Sequence, residues 1–211
     1  IGVRWRLPAM VRWSCCRCGA PTVGPTPSAQ TDVVIAFGVA MQTLPPPVPA
    51  APLPEGRFSG REAFQQLVRD AFASAAREGW AEIILSDAYF HDWPLGERAV
   101  IESLNAWARR GRRLTLLACH YDEMIRRHAR FVHWRGTWDH LLTCRASRSA
   151  DPLTLPSMIW SPHWVLHRID PERCVGVCTT QPQQRTLLRE SLKEWLSSKS
   201  APGFASTTLG L

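Results

Sequence analysis

The pattern of apolar and polar residues changes near residue 57. Residues 1–56 hold a cluster of prolines, including Pro45, Pro46 and Pro47, and follow neither a helical nor a strand period. Such a segment is predicted to be disordered or weakly ordered, and Met41 within it is a candidate natural first residue. From 57 to 198, apolar residues recur at regular spacings. The sequence therefore predicts one folded domain over 57–198 and a short tail over 199–211.

Apolar residues at three- and four-residue intervals predict four amphipathic helices. The first begins after Ser59, which stands three residues before Glu62 as in a capping box, and it ends at Gly79. The other three predicted helices cover 95–110, 122–134 and 183–198.

Short apolar runs predict strands between these helices, at 81–86, 113–118 and 141–144. The second run is apolar at successive positions, which is typical of a parallel strand covered on both faces. A hairpin is predicted from 160–169 and 174–179. The alternation of helices and strands predicts an α/β fold with a mixed, mostly parallel sheet and helices on both faces.

Composition narrows the class of protein. The 211-residue chain carries a formal charge of +7, which is compatible with an acidic partner such as nucleic acid. Seven cysteines form no even framework, so a reducing, cytoplasmic location is expected. The C-x-x-C at Cys15 and Cys18 lacks a second pair, so no metal and no cofactor are predicted. The longest apolar run, 33–41, is too short for a membrane span.

The most specific pattern in the chain joins His163 and Asp170. Their spacing is that of an H-x-K-x4-D motif, with Val165 in the place of the lysine. Together with the order of elements, this spacing resembles one half of a phospholipase D superfamily domain, over roughly 57–198. The basic segment 109–113 is also similar to the entry into a strand in such domains. The family's Gly-Ser pair and later Asn are not matched, because Gly176 comes one residue early and no Asn follows.

The resemblance implies phosphodiester chemistry, in which His163 would attack phosphorus while a lysine neutralises the phosphoryl oxygens. Losing one such donor typically costs on the order of a hundredfold in rate. Family members also bring two motif copies together, and this chain has one degenerate copy. The sequence therefore predicts a non-catalytic binding or scaffold module. The alternative is a phosphodiesterase or nuclease assembled by homodimerisation, with His163 as the nucleophile and Asp170 as its orienting partner.

Ligand sites in open α/β sheets gather at the carboxyl ends of strands. Ser86, His120 and Arg145 follow or end the predicted strands and are candidates, with His163, for one cleft that holds a phosphate-containing ligand. His167 shares the strand face of His163 if the strand is regular, whereas Arg168 points to the other face. The simpler interpretation is that these residues cap loops or are solvated.

A third hypothesis is nucleic-acid binding by the third helix. Arginines and aromatic residues alternate there in a pattern that suits phosphate contact and base stacking. They are Arg126, Arg127, Arg130, Phe131, Trp134, Arg135 and Trp138. The competing interpretation is a solvated basic face over buried aromatic side chains.

Overall fold

The computed structural model describes residues 52–110, 112–148 and 151–204, all within one compact unit, Pro49–Leu211. The predictions for residues 1–51, including Met41 and the cysteine cluster, and for 205–211 lie outside the described residues. The strands are β1 (Gly56–Ser59), β2 (Glu82–Ser86), β3 (Arg113–Ala118), β4 (Leu142–Ser147), β5 (Ser157–Trp160), β6 (Val165–Asp170), β7 (Val175–Thr179) and β8 (Ser200–Pro202). The α-helices are α1 (Arg61–Glu78), α2 (Arg98–Ala108), α3 (Asp122–Arg127), α4 (Ala129–Thr137) and α5 (Pro182–Ser198).

The strands form one sheet in the order β1-β7-β6-β5-β2-β3-β4-β8. Within the described residues, only β2–β3 and β3–β4 are parallel neighbours, and the other five adjacent pairs are antiparallel. The prediction of a mostly parallel sheet is therefore wrong. The physical reason is that β5, β6 and β7 follow one another through short turns, which join antiparallel strands, and this meander docks antiparallel on β2.

Helices cover both faces of the sheet, as predicted. Alternate residues of β2 point to opposite faces, so Ile83 and Leu85 enter one core while Ile84 enters the other. The first core lies under α1, α2, α3 and α4, and the second lies under α5. In the described part of the chain, no helix is long and apolar enough to cross a membrane.

Local structure departs from the predicted elements in several places. Ser59 ends β1 and makes no capping hydrogen bond to α1; Gly60 takes the N-cap position at φ 97°, where glycine avoids a steric cost. The predicted third helix breaks at His128, whose Nε2 lies 2.7 Å from the Phe90 carbonyl oxygen. The strand predicted over 160–169 is interrupted by a turn, and neither β1 nor β8 was predicted.

Candidate functional site at the carboxyl ends of β2 and β6

His163 lies in the turn between β5 and β6 rather than on a strand. The turn is held by Ser161, whose Oγ donates to the Trp164 carbonyl oxygen at 2.8 Å and accepts from the His163 amide at 3.2 Å. The His163 ring is exposed and stacks on Trp80, with the ring centroids 6.0 Å apart. Because Trp80 lies two residues before β2, His163 lies at the end of the sheet where β2 begins.

Asp170 lies at the opposite end of the same strand. It terminates β6, and its Oδ1 accepts a hydrogen bond from the Arg173 amide at 3.0 Å in the β6–β7 turn. A strand rises about 3.3 Å per residue, so roughly 20 Å separates Asp170 from His163. The structure therefore does not bring the two motif residues together.

The position of the missing lysine is a core position. Val165 is fully buried in the core under α5. His167, two residues further along β6, faces the same side and is half-buried, and this burial lowers its pKa. The local environment suits an apolar side chain at Val165 and a neutral imidazole at His167.

The three other candidates have separate surroundings. Ser86 is buried and donates from Oγ to the Pro156 carbonyl oxygen at 2.6 Å. His120 is exposed beyond β3 and stacks on Tyr89. Arg145 on β4 donates to the carbonyl oxygens of Leu196 and Ser200, at 3.1 and 2.9 Å, and so closes the carboxyl end of α5. These residues therefore do not form one cleft with His163.

A buried ionic network occupies the end of the sheet where β2 and β6 finish. Arg168 donates from Nη2 to Asp87 Oδ2 and from Nη1 to Asp92 Oδ2, each at 2.6 Å, and from Nε to Ser157 Oγ at 2.9 Å. The side chains of Arg168, Asp87 and Asp92 are 4% exposed or less. Burial alone would lower the pKa of Arg168, but the two carboxylates outweigh it and raise that pKa. Arg168 is thus a charged, fully engaged guanidinium.

The network also fixes the loop after β2. Asp87 Oδ1 accepts the backbone amides of Tyr89 and Phe90, at 3.0 and 2.7 Å, while Ser157 Oγ donates to Asp87 Oδ2 at 2.6 Å. One carboxylate atom is left over: Asp92 Oδ1 is buried and has no hydrogen-bond partner within the described residues. The Nδ1 of His91 lies 4.0 Å from this oxygen.

A cavity of about 280 Å³ opens beside this network. Asp87, Ser157 and Arg168 form part of its wall, Leu155 contributes apolar surface, and Arg61 is an exposed cation at its edge. The remaining lining residues are Ala88, Tyr89, His91, Pro152, Leu153, Pro171 and Glu172. Ligands in open α/β sheets commonly bind outside the carboxyl ends of strands, which is where this cavity lies.

Sequence patterns gave only a partial signal for this site. Asp87 directly follows Ser86, a predicted candidate at a strand end, whereas the sequence indicates for Arg168 only that it points away from His163. Asp92, Ser157 and Cys174 were missed, because they lie on separate loops and strands that meet only in the folded sheet. Cys174 Sγ donates to Asp92 Oδ2 at 3.4 Å, so Cys174 is a further member of the network.

The arginines of α3 and α4 are engaged rather than free. Arg126 and Arg127 both pair with Glu123, at 3.2 and 2.8 Å. Arg135 is buried and donates to the Phe204 carbonyl oxygen. The aromatic residues of this segment are also packed: Trp134 is 3% exposed, and Phe131 is fully buried in the same core. Phe131 and Trp134 are therefore unavailable for base stacking.

Comparison with known proteins places the fold. No family model matches the chain, and no curated protein matches it. Among solved structures, TrmBL2, an archaeal chromatin protein, matches with a TM-score of 0.54 at 14% identity, over 74% of this chain and 56% of that chain. The likeness at this identity is one of fold alone. This chain accordingly spans little more than half the length of TrmBL2.

Two enzymes also match at lower scores. Nuc from Salmonella typhimurium, a phospholipase D family member, matches with a TM-score of 0.47 at 13% identity, over 71% of this chain and 98% of that chain. Phosphatidylserine synthase from Haemophilus influenzae Rd KW20 matches with a TM-score of 0.45 at 12% identity, over 69% of this chain and 38% of that chain.

Proposed function

We propose that this domain is a non-catalytic binding module of phospholipase D-like ancestry, whose ligand site is the cavity beside the Arg168 network. The observation that carries the proposal is the contrast between the two ends of β6. The end with His163 presents an imidazole stacked on Trp80 and a buried valine, whereas the end with Arg168 presents a wall of fixed polar groups next to a cavity.

Beside His163, a buried valine stands in the place of the motif lysine. A developing phosphoryl charge requires preorganised cations or hydrogen-bond donors close to the nucleophile. Arg168 faces the other core and is held by two carboxylates, and Arg145 is held by the end of α5. Neither guanidinium replaces the lysine that Val165 displaces.

The cavity suits a small ligand with both polar and apolar surface. Its volume is close to the lower bound of small-molecule sites, roughly 300 Å³. Since Arg168 and Asp87 already satisfy each other, specificity would come from groups that have no such partner among the described residues, such as Arg61 and the Tyr89 hydroxyl. Arg61 favours a ligand that carries an anionic group.

The absence of catalysis is tested with bis(p-nitrophenyl) phosphate as substrate. We expect no hydrolysis above buffer for the wild type, for His163→Ala, or for the control His133→Ala on α4. Hydrolysis that is lost in His163→Ala and retained in His133→Ala would overturn the proposal. A dimer in sedimentation velocity under the same conditions would then support the homodimeric phosphodiesterase.

The cavity is tested by thermal shift with a fixed panel of small carboxylates, phosphates and nucleosides. We expect at least one anionic compound to raise the Tm of the wild type and to lose that effect in Arg61→Gln. Arg57→Gln is the matched control, because Arg57 is another exposed arginine near the amino terminus of α1 that does not line the cavity. A panel without any stabilising compound would count against a ligand site in this cavity.

A second candidate function is nucleic-acid binding. Its support is the fold likeness to TrmBL2, which is described as showing a novel mode of DNA binding, together with the formal charge of +7. A shared fold is an analogy and does not locate a binding surface. Binding of DNA should weaken steeply as salt rises, and binding that is absent or independent of salt would exclude this candidate.

A further inference from the structure

A group of exposed or half-exposed arginines lies between α2 and β3. It consists of Arg109, Arg110, Arg112 and Arg113, here called the arginine edge. The backbone amide of Arg113 donates to the Ala81 carbonyl oxygen at 3.1 Å, which fixes this segment beside the chain entering β2. The edge therefore lies at the same end of the sheet as Trp80 and His163, away from the cavity.

The arginine edge has no partners of its own. None of its four guanidinium groups forms an ion pair or a hydrogen bond with any residue in the described parts of the chain, and Arg112 Nε is buried without an acceptor. The nearest acids are already engaged. Glu78 accepts from Arg77 and from Trp80 Nε1, and Glu82, which lies opposite Arg113 in the sheet register, accepts from Arg189.

This lack of partners contrasts with arginines elsewhere on the described surface, many of which are neutralised by a carboxylate. Those pairs are Arg69–Glu97, Arg98–Glu102, Arg126–Glu123, Arg127–Glu123 and Arg173–Asp170. A solvated basic face is usually interleaved with acids, as these pairs are. The arginine edge instead groups positive charges with no acidic residue between them.

Two of these cations are brought together by the end of α1. Gly79 caps α1 in the left-handed conformation at φ 69°. A Cβ at Gly79 would lie 2.8 Å from Arg112 Nη2 and 3.3 Å from Arg110 Nη1, so both guanidinium groups converge on this backbone position. The negative end of the α1 dipole favours cations there, which explains how they are held without a carboxylate.

We infer that the arginine edge binds the phosphate backbone of duplex nucleic acid; this inference rests on the second candidate function and names its surface. Guanidinium groups bind phosphate oxygens bidentately, and adjacent phosphates along a strand match a row of adjacent cations. Trp80 and Trp107, the tryptophans next to the edge, are each 1% exposed. Without an exposed tryptophan for stacking, recognition is of the backbone and is independent of sequence.

The apolar surface argues against a membrane as the partner. Insertion into a lipid interface requires exposed apolar side chains next to the cations. The large exposed hydrophobic residues of the described chain are Ile125, Leu153, Ile169 and Leu187, and none belongs to the arginine edge. The edge thus has the charge for phosphates but not the apolar surface for insertion.

The test uses fluorescence anisotropy of the full chain with a labelled 20-base-pair duplex, from 50 to 200 mM NaCl. The edge variant is Arg109→Gln/Arg110→Gln/Arg113→Gln. The control variant, Arg98→Gln/Arg126→Gln/Arg127→Gln, removes the same charge from arginines that pair with glutamates. We expect the edge variant to bind at least about tenfold more weakly at 100 mM NaCl, with a salt slope shallower by about 2 to 3, and the control variant to stay within about twofold of the wild type.

The outcomes distinguish a failure of the arginine edge as the binding surface from a failure of nucleic-acid binding itself. Equal weakening by both triple variants would mean that only net charge matters, and it would overturn the edge while leaving nucleic-acid binding in place. No duplex binding by the wild type at 50 mM NaCl would overturn both. Binding to phosphatidylserine vesicles without binding to the duplex would also overturn the inference. Matching Tm values for the three proteins confirm that each variant is folded.

Discussion

The two ends of β6 illustrate different uses of polar residues. At the end where β6 begins, His163 is exposed. Its ring stacks on Trp80 and on no other aromatic ring of the described residues. At the end where it finishes, Arg168 is 2% exposed and holds Asp87, Asp92 and Ser157 around it. Buried charges are costly unless they are paired and hydrogen-bonded, so the second end is the more tightly constrained.

This difference shows that, in this chain, a residue's place in the motif does not indicate how much it stabilises the fold. The motif residues His163 and Asp170 can change without leaving a buried group unpaired. Arg168 belongs to no motif, yet it cannot be replaced in this way. Its removal would leave two buried carboxylates without a counter-ion.

Replacing Arg168 by Met should have the largest effect. Breaking a buried ion pair by removing one partner typically costs about 3–5 kcal/mol, because the remaining charge stays buried. We therefore expect the free energy of unfolding, measured in urea, to fall by about that amount. The control is Arg173→Ala, whose exposed side chain should change it by about 0.5 kcal/mol or less.

A second variant decides whether the loss comes from unpaired charge. Adding Asp92→Asn to Arg168→Met removes one of the stranded carboxylates, so part of the stability should return. An Arg168→Met protein within about 1 kcal/mol of the wild type would show that the network is not needed for the fold.

Restoring the motif lysine should be the next most damaging change. Val165→Lys places an ammonium group at a fully buried position under α5, where we expect a cost of about 2–4 kcal/mol. Ile169→Lys on the same strand is the control, because Ile169 is 61% exposed. We also expect no phosphodiesterase activity in Val165→Lys. A stable, active Val165→Lys protein would instead show that the His163 site needs only this lysine.

The helices could be predicted from the sequence because their signal is local. Apolar spacing located α1 and α5 to within a few residues, since an amphipathic face must repeat with the helical period. The relative direction of neighbouring strands in the sheet was not predictable in the same way. Whether β5 enters parallel or antiparallel to β2 depends on which edge the meander docks against, and no local pattern encodes that choice.

The candidate site shows the same limit more sharply. His163 and Asp170 could be found because they lie seven residues apart in the chain. The Arg168 network could not be found in this way, because 81 residues separate Asp87 from Arg168 in the chain. Only the folded sheet brings Arg168 Nη2 within 2.6 Å of Asp87 Oδ2. A buried arginine on a strand was the one available signal, since arginine is rarely buried without partners.

Acidification should reduce stability through buried histidines. Burial lowers the pKa of His128 and of His167 below the value of about 6.5 that each has when unfolded. The unfolded chain then binds more protons below that value, so stability is complete above about pH 6.5 and falls as the pH drops below it. In urea unfolding from pH 7.5 to 5.0, His128→Gln and His167→Gln should each show a shallower fall than the wild type.

An exposed histidine provides the control for this pH dependence. His120→Gln should retain the wild-type slope, because His120 is exposed beside Tyr89. Equal slopes for the wild type and all three variants would assign the acid sensitivity to carboxylates instead.

Removing the motif histidine should have the smallest effect of all. His163→Ala loses an exposed stacking contact with Trp80, for which we expect a change of about 0.5 kcal/mol or less in the free energy of unfolding. The Ser161 bonds that shape the turn use backbone groups of His163 and Trp164, so they survive the substitution. Ser161→Ala, which removes those bonds at a buried position, should cost more than His163→Ala. The reverse order would mean that the imidazole itself holds this end of the sheet, and the contrast between the two ends of β6 would then not hold.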